Sequence, residues 1–238
     1  MIEHRDVLNL PEDALYKLLH WFSPSFPIGS YSYSRGLETA IEAKLVLEVN
    51  GLVDWIHTDL LRGPGWTDAI LFCHIFRSII GGNQDKFMEL ATLANAARGS
   101  SELALESSNQ GKAFAKATSE CWSVPQMNSI ERDLTNLGIE MTLPVAAATA
   151  CALSQIPLKP ALFFYTQADA NNLVSAGIRL IPLGQSDGQR ALSQLEQTVN
   201  MVVEKALAMD LDKLGTSTPM IDLMSMHHEI QYTRLFRS

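Results

Sequence analysis

NNLVSAGIRLIPLGQSDGQR, residues 171–190, joins two long apolar patterns and decides the fold. In its first half the apolar residues have helical spacing, and Pro182 then removes a backbone donor, which ends or bends a helix. Asp187-Gly188 is typical of a turn. A second helical pattern follows at once, with apolar residues at steps of three and four as far as Met209. Two long apolar helices joined by one polar elbow predict a helical bundle.

The elbow itself, residues 185–190, is polar but carries no catalytic constellation. Its simplest interpretation is a capped turn with Ser186 or Asp187 as the N-cap of the second helix. The glycines at 184 and 188 lack the spacing of a GxSxG nucleophile turn.

Helical periodicity also dominates the rest of the chain. It predicts helices over 12–22, 34–43, 49–61, 66–80, 84–97, 102–122, 127–137 and 142–155, and one that opens at Pro160. Gly36 indicates close approach of another backbone. Small residues at Ser107, Gly111 and Ala115 allow another helix to pack closely. We therefore predict an all-α, single-domain bundle (residues 1–238) of roughly eight to ten helices. An N-terminal arm covers about 1–11 and a C-terminal tail about 216–238.

Composition excludes several classes of function. The net charge of −8 argues against a nucleic-acid or anionic-membrane surface, which needs a basic face. No secretory signal and no bilayer-spanning run is visible. Cys73, Cys121 and Cys151 lie far apart among apolar residues, so we expect buried thiols in a reducing compartment, the cytoplasm.

The residues that could carry chemistry are sparse. No P-loop or HExxH motif occurs, and no carboxylate pair is enclosed by apolar sequence in a way that suggests acid–base catalysis. Asp169 is the one candidate for a buried polar position, for which a satisfied core network is the simplest explanation. His74 is expected to be a core histidine. His227 and His228 are weak metal candidates, since adjacent helical residues diverge by about 100° and chelate together only outside a helix or across two chains.

The C-terminal tail has an unusual composition. Tyr232, Leu235 and Phe236 are large apolar residues interleaved with Arg234 and Arg237. Aromatic and arginine side chains supply much of the energy of protein interfaces. The tail is therefore interpreted as a segment that orders by docking, either on a partner or back onto its own bundle.

Four stretches taken in chain order resemble the signatures of one family. Residues 23–38 resemble its amino-terminal signature, Leu143-Pro144-Val145 its middle signature, SAGIRLIPLGQSDGQR (175–190) its strongest one, and HHEIQYTRLFRS (227–238) its terminus. The chain thus resembles the urease accessory protein UreF family. The histidine pair departs from the single histidine of many members.

The resemblance implies an all-α homodimer without catalytic activity or cofactor. It implies a maturation factor, or chaperone, that binds UreD (UreH in some bacteria), recruits the GTPase UreG and regulates GTP-dependent nickel delivery to the urease apoprotein. Neither nucleic acid nor membrane is an expected partner. A metallochaperone that binds nickel through His227 and His228 is the alternative, and an all-α enzyme with an unrecognised pocket is a third hypothesis.

The resemblance also implies candidate partner-binding residues. The tail is implied to order on UreD, and Tyr31 and Arg234 match family positions implicated in complex formation. The elbow residues contact either the second protomer or UreG, an alternative that one sequence leaves open. The full candidate set is Tyr31, Tyr232, Arg234, Leu235, Phe236, Arg237, Gln185, Asp187, Gln189 and Arg190.

Overall fold

Regular structure in this computed structural model, which describes residues 10–238, is entirely helical. Its α-helices are α1 (Glu12–Trp21), α2 (Leu37–Glu42), α3 (Val49–Arg62), α4 (Pro64–Ile80), α5 (Gln84–Ala96), α6 (Ser101–Cys121), α7 (Gln126–Asn136), α8 (Leu143–Leu153), α9 (Leu158–Leu180), α10 (Gln185–Ala208) and α11 (Pro219–His228). Short 3-10 helices cover Ser30–Ser32 and Leu211–Lys213. The all-α prediction is confirmed. Most of the predicted N-terminal arm, residues 1–9, lies outside the described residues.

Two apolar helices, α4 and α8, form the centre of the bundle. They pack on each other, and α6, α9, α3 and α10 surround them. Alanine dominates α8, so its neighbours approach its backbone closely. At Gly111 of α6 an added Cβ would overlap the carbonyl oxygen of Met141 and lie 2.5 Å from the carbonyl carbon of Thr142. The prediction of close packing at the small residues of α6 is confirmed.

The junction between α9 and α10 has the predicted position but a different cap. α9 ends at Leu180, two residues before Pro182, and the N-cap of α10 is Gly184 rather than Ser186 or Asp187. The N-cap prediction was wrong because Asp187 acts from the third helical position, where its carboxylate accepts the Gly184 N–H at 2.9 Å. Gly188 packs so tightly on Ile178 that a side chain there would overlap it.

Two further predictions need correction. α4 begins at Pro64, directly after α3, rather than at Trp66, because proline is favourable in the first turn of a helix. Cys121 is exposed because it is the last residue of α6, whereas Cys73 and Cys151 are buried as predicted. Over residues 10–238, every helix is too short or too polar to cross a membrane.

Helix α2, the loop that leads into it and helix α11 meet at one place. α2 packs on α11, and an added Cβ at Gly36 would lie 2.5 Å from the backbone nitrogen of Ser225. Gly36 also has a φ of 75°, which favours glycine. This contact confirms the predicted close approach, and it sets α11 and the residues after it against the loop that leads into α2.

Candidate functional site

Buried charged residues, rather than a catalytic constellation, dominate the interior beside α2. Arg35 lies in the loop before α2 with a φ of 52°, and it is 8% exposed. Its Nη1 donates to Asp59 at 3.2 Å and to Asp169 at 2.9 Å, and its Nε donates to Glu106 at 3.4 Å. Nη2 also pairs with the other oxygen of Asp169. One guanidinium therefore joins carboxylates from α3, α6 and α9.

The sequence indicated a buried position for Asp169 but not for the residues that it contacts. Asp169 is the polar residue that the sequence predicted to belong to a satisfied core network, and its pairing with Arg35 confirms that prediction. Nothing in the sequence indicated that Asp59 and Glu106 are buried beside Arg35. Asp59 and Glu106 are buried because they meet Arg35 and Asp169, which lie far away in the sequence. A local sequence pattern does not predict such a contact.

Burial and neighbouring charges shift the pKa values of Arg35, Asp59 and Glu106. Burial alone would lower the pKa of Arg35, but Asp169, Asp59 and Glu106 outweigh that effect and raise it. Burial raises the pKa of Asp59 to about 7 despite the attraction of Arg35. Burial likewise raises the pKa of Glu106. Near neutral pH Asp59 is therefore partly protonated, whereas in the unfolded chain it would be ionised.

We expect Asp59→Asn to flatten the pH dependence of stability. The pKa of Asp59 rises from an ordinary value of 3.8 to about 7 on folding, so its contribution to stability is fully present below about pH 4 and is lost as the pH rises through about 7. Its slope is at most about 1.4 kcal/mol per pH unit. Urea unfolding at several pH values measures this slope. Exposed Asp54→Asn, on the same helix, should keep the parental slope, and an identical slope in both variants would contradict the assignment.

A second buried network holds the C-terminal segment. Glu38 of α2 accepts hydrogen bonds from the backbone N–H groups of Leu235 at 2.7 Å and Phe236 at 2.9 Å. The ring of His228 lies between Glu38, 3.0 Å from Nε2, and Glu102, 2.7 Å from Nδ1. Both nitrogens can donate only when the imidazole is protonated. The two carboxylates thus join α11 and the segment after it to α2 and α6.

The last residues of the chain are held at a third carboxylate. Ser238 Oγ donates to Glu106 at 2.7 Å, and the Ser238 carbonyl oxygen accepts from the Ser34 N–H at 2.7 Å and the Ser34 Oγ at 2.6 Å. Arg35 contacts the same Glu106, so the two buried networks share one carboxylate. The sequence left two positions open for the tail, docked on a partner or folded back onto its own bundle. In this structure the tail is folded back onto its own helices.

The predicted tail residues divide into a buried and an exposed set. Phe236 is 4% exposed and lies under the guanidinium of Arg179, 4.2 Å from ring centroid to Cζ. The side chain of Arg234 is partly exposed and pairs with Glu102 at 2.9 Å. Tyr232 is fully exposed and Leu235 is 62% exposed. The side chain of Arg237 is exposed too, while its N–H donates to the carbonyl oxygen of Ser32.

Tyr31 lies close to the tail, and the elbow residues form a separate group. Arg179, which covers Phe236, also donates to the carbonyl oxygen of Tyr31 at 2.6 Å, and the Tyr31 side chain is exposed. Gln185, Asp187, Gln189 and Arg190 occupy the first turns of α10. Within residues 10–238, no hydrogen bond or ion pair joins them to the tail. The pKa of Asp187 is lowered, first by its hydrogen bond from Arg190 and then by that from Gly184.

The histidine pair does not form a chelate. Both residues are helical, His227 is exposed and His228 is completely buried between its two glutamates. In the part of the chain that the structure describes, no group of three or more His, Cys, Asp or Glu side chains is arranged to hold a metal ion. His74 is only partly buried, and its Nε2 lies 3.0 Å from the carbonyl oxygen of Met209.

Fold and site together define an all-α protein whose C-terminal segment folds back onto the bundle. Buried carboxylates hold this segment through hydrogen bonds. Comparison with known proteins gives the family. The UreF family profile matches residues 46–196. The urease accessory protein UreF of Granulibacter bethesdensis is 43% identical over 225 residues, which cover 94% of each chain. The proteins of the same name from Rhodopseudomonas palustris and Bradyrhizobium diazoefficiens are 41% and 39% identical, covering 94% of this chain and 92% of theirs.

The chain belongs to the UreF family of urease accessory proteins. The resemblance noted in the sequence is therefore confirmed, and with it a role in urease maturation.

Proposed function

We propose that this protein is a non-enzymatic scaffold of urease maturation in the cytoplasm. In this role it acts as a homodimer that binds UreD (UreH), recruits the GTPase UreG and regulates the GTP-dependent transfer of nickel to the urease apoprotein. The observation that carries the proposal is the tail, which combines an ordered backbone with exposed Tyr232 and Leu235. Exposed aromatic and apolar side chains that cluster on a rigid surface are typical of protein interfaces.

The buried carboxylates give this surface its shape. Glu38 fixes the backbone of Leu235 and Phe236, and Arg179 links Phe236 to the backbone of Tyr31. A partner that meets an already ordered segment loses less conformational entropy on binding. Phe236 thus supports the surface from inside and Arg234 ties it to Glu102, whereas Tyr31, Tyr232, Leu235 and Arg237 are proposed to touch UreD.

The elbow is proposed as a second contact region. Gln185, Gln189 and Arg190 are exposed at the start of α10, away from the hydrogen bonds of the tail. Their side chains are available either to the second protomer or to UreG. Substitution of Arg190 distinguishes the two, because a change of oligomeric state would assign the elbow to the dimer and a loss of UreG alone would assign it to the GTPase.

Direct nickel binding by the histidine pair is the weaker candidate. Both ring nitrogens of His228 already contact carboxylates, and the residue has no access to solvent. A metallochaperone would require His228 to leave this network. Nickel titration of the parent and of His227→Ala separates the two functions. Equal weak binding supports the scaffold, and stoichiometric binding that depends on His227 supports the metallochaperone.

We expect the double variant Tyr232→Ala/Leu235→Ala to weaken UreD binding by about tenfold or more, since loss of a hot-spot side chain at an interface costs about 2 kcal/mol or more. Both side chains point to solvent, so the melting temperature should stay close to that of the parent. Affinity is measured with purified UreD. The control is Leu47→Ala/Leu137→Ala, two leucines that are 60% and 65% exposed elsewhere on the surface. Equal affinity of both double variants would refute the tail surface.

A further inference from the structure

A cavity of about 100 Å³ lies beside Arg35, and its wall includes Asp169 and Tyr31, whose other contacts are described above. It is bounded by α1, the loop that follows it, α6, and the middle of α9. Pro24 and Tyr31 line it and are exposed, so the cavity reaches the surface. One water molecule needs only about 10–15 Å³ of such space. The cavity is therefore large enough for the end of a long side chain or for a small organic molecule.

Aromatic rings form much of the wall. Trp21, Phe22, Phe114 and Tyr165 all line the cavity. Phe22 lies 6.0 Å from Phe114 and 6.2 Å from Tyr165, and Trp21 lies 6.0 Å from Phe114, measured between ring centroids. These rings form one continuous cluster. The faces of such rings carry negative electrostatic potential and attract cations.

The wall of the cavity also contains polar and charged residues, and carboxyl groups outnumber cationic groups around it. Arg35 and Asp169 line it, together with the side chains of Asn171 and Asn172. Behind Asp169, Arg35 also pairs with Asp59 and Glu106, so three carboxylates surround a single guanidinium.

The neighbouring ion pair of Arg98 and Asp68 does not change the excess of carboxyl groups over cationic groups. Arg98 pairs with Asp68 at 2.8 Å, one cation with one carboxylate, and Tyr165 also donates to Asp68. A small chamber beyond Arg35 is lined by Asp68, Arg98 and Glu106. Carboxyl groups thus still outnumber guanidinium groups around Arg35, and each of them that is ionised favours a positively charged occupant over a neutral or anionic one.

We propose that this cavity binds an alkylguanidinium or alkylammonium group. The aromatic rings enclose the alkyl chain and the cation, and Asp169, with the amide oxygens of Asn171 and Asn172, accepts its N–H donors. The group is either a free organic cation or the end of an arginine or lysine side chain of a bound protein. Both sources share the same recognition chemistry.

The test uses n-propylguanidinium chloride, titrated into the full-length protein by calorimetry, with n-propylurea as its neutral analogue of similar shape. We expect saturable binding of the cation that is at least tenfold tighter than binding of the urea. Equal binding of the two compounds, or no saturable binding of the cation, would overturn the proposal.

Two variants locate the binding. Ala168 lines the cavity, so Ala168→Met fills it and should lower the affinity for propylguanidinium by at least tenfold. Gln167→Met, one residue earlier on α9, faces the groove toward α10 and should bind like the parent. Asn172→Lys supplies an internal ammonium and should also block binding, which keeps the test decisive if Ala168→Met does not fold. Unchanged affinity in folded Ala168→Met or Asn172→Lys would refute the assignment.

Competition identifies the source of the cation. If propylguanidinium at saturating concentration releases a urease maturation partner from the protein, the natural occupant is a side chain of that partner. If the partner stays bound, the occupant is a free organic cation. Because the calorimetric result does not involve any partner, failure of this proposal is distinguishable from failure of the scaffold proposal.

Discussion

Replacement of Arg35 by methionine should lower the free energy of unfolding by about 3–5 kcal/mol, because removing one partner of a buried charge network leaves the others uncompensated. Asp59, Glu106 and Asp169 would then share a buried site without their common cation. Protonation can relieve part of that repulsion, so the loss should be larger at about pH 8 than at about pH 5. Arg35→Lys keeps the charge and should be affected less.

Chemical denaturation at both pH values measures the effect. Arg132→Met is the matched control, since Arg132 is exposed on α7 and has no ion pair among the described residues. Surface substitutions of this kind usually change stability by about 0.5 kcal/mol or less. If Arg35→Met and Arg132→Met unfolded at the same denaturant concentration, the central role of Arg35 in the fold would be wrong.

Gly111→Ala should destabilise the protein by about 2 kcal/mol or more, because the added methyl group overpacks the interface between α6 and the start of α8. Alanine in place of glycine inside a helix normally stabilises it by about 1 kcal/mol. Here the new Cβ would overlap the Met141 carbonyl oxygen, and backbone atoms cannot move aside as a side chain can. Gly111→Ala is therefore expected to destabilise the protein, whereas the same substitution inside a helix usually stabilises it.

Gly51→Ala provides the comparison within the same chain. Gly51 lies in α3, and the nearest atoms to its added Cβ belong to Val46, at an ordinary contact distance of 3.8 Å. This variant should be unchanged or slightly more stable than the parent. The melting temperatures of both variants, compared with that of the parent, show whether each substitution stabilises or destabilises the protein. A stabilised Gly111→Ala would show that α6 and α8 are further apart than described.

The helices and their close contacts could be predicted from the sequence because their signals are local. Apolar periodicity located the helices, Pro182 located the end of α9, and the glycines at 36 and 111 indicated where backbones approach. The cap of α10 was misassigned for a local reason, since an aspartate has similar propensities at the N-cap and in the first turn. Such errors move an element boundary by a few residues and leave the fold intact.

The buried networks could not be predicted because their members come from distant segments. Arg35, Asp59, Glu106 and Asp169 lie on four different elements, and all but Asp169 resemble surface residues when their own segments are read alone. The same holds for His228, whose two carboxylate partners lie more than a hundred residues earlier, at separations of 126 and 190. The sequence identified the tail as important, but only the contacts of Glu38 show how it is held.

The central claim, that this UreF-family protein is a scaffold for urease maturation, is tested most directly by co-purification. The purified protein is mixed with UreD of the same organism, and UreG is then added with GTP and magnesium. We expect a stable complex of all three proteins, and a markedly less stable one with the Tyr232→Ala/Leu235→Ala variant. A well-folded parent protein that captures neither UreD nor UreG under these conditions would contradict the scaffold function.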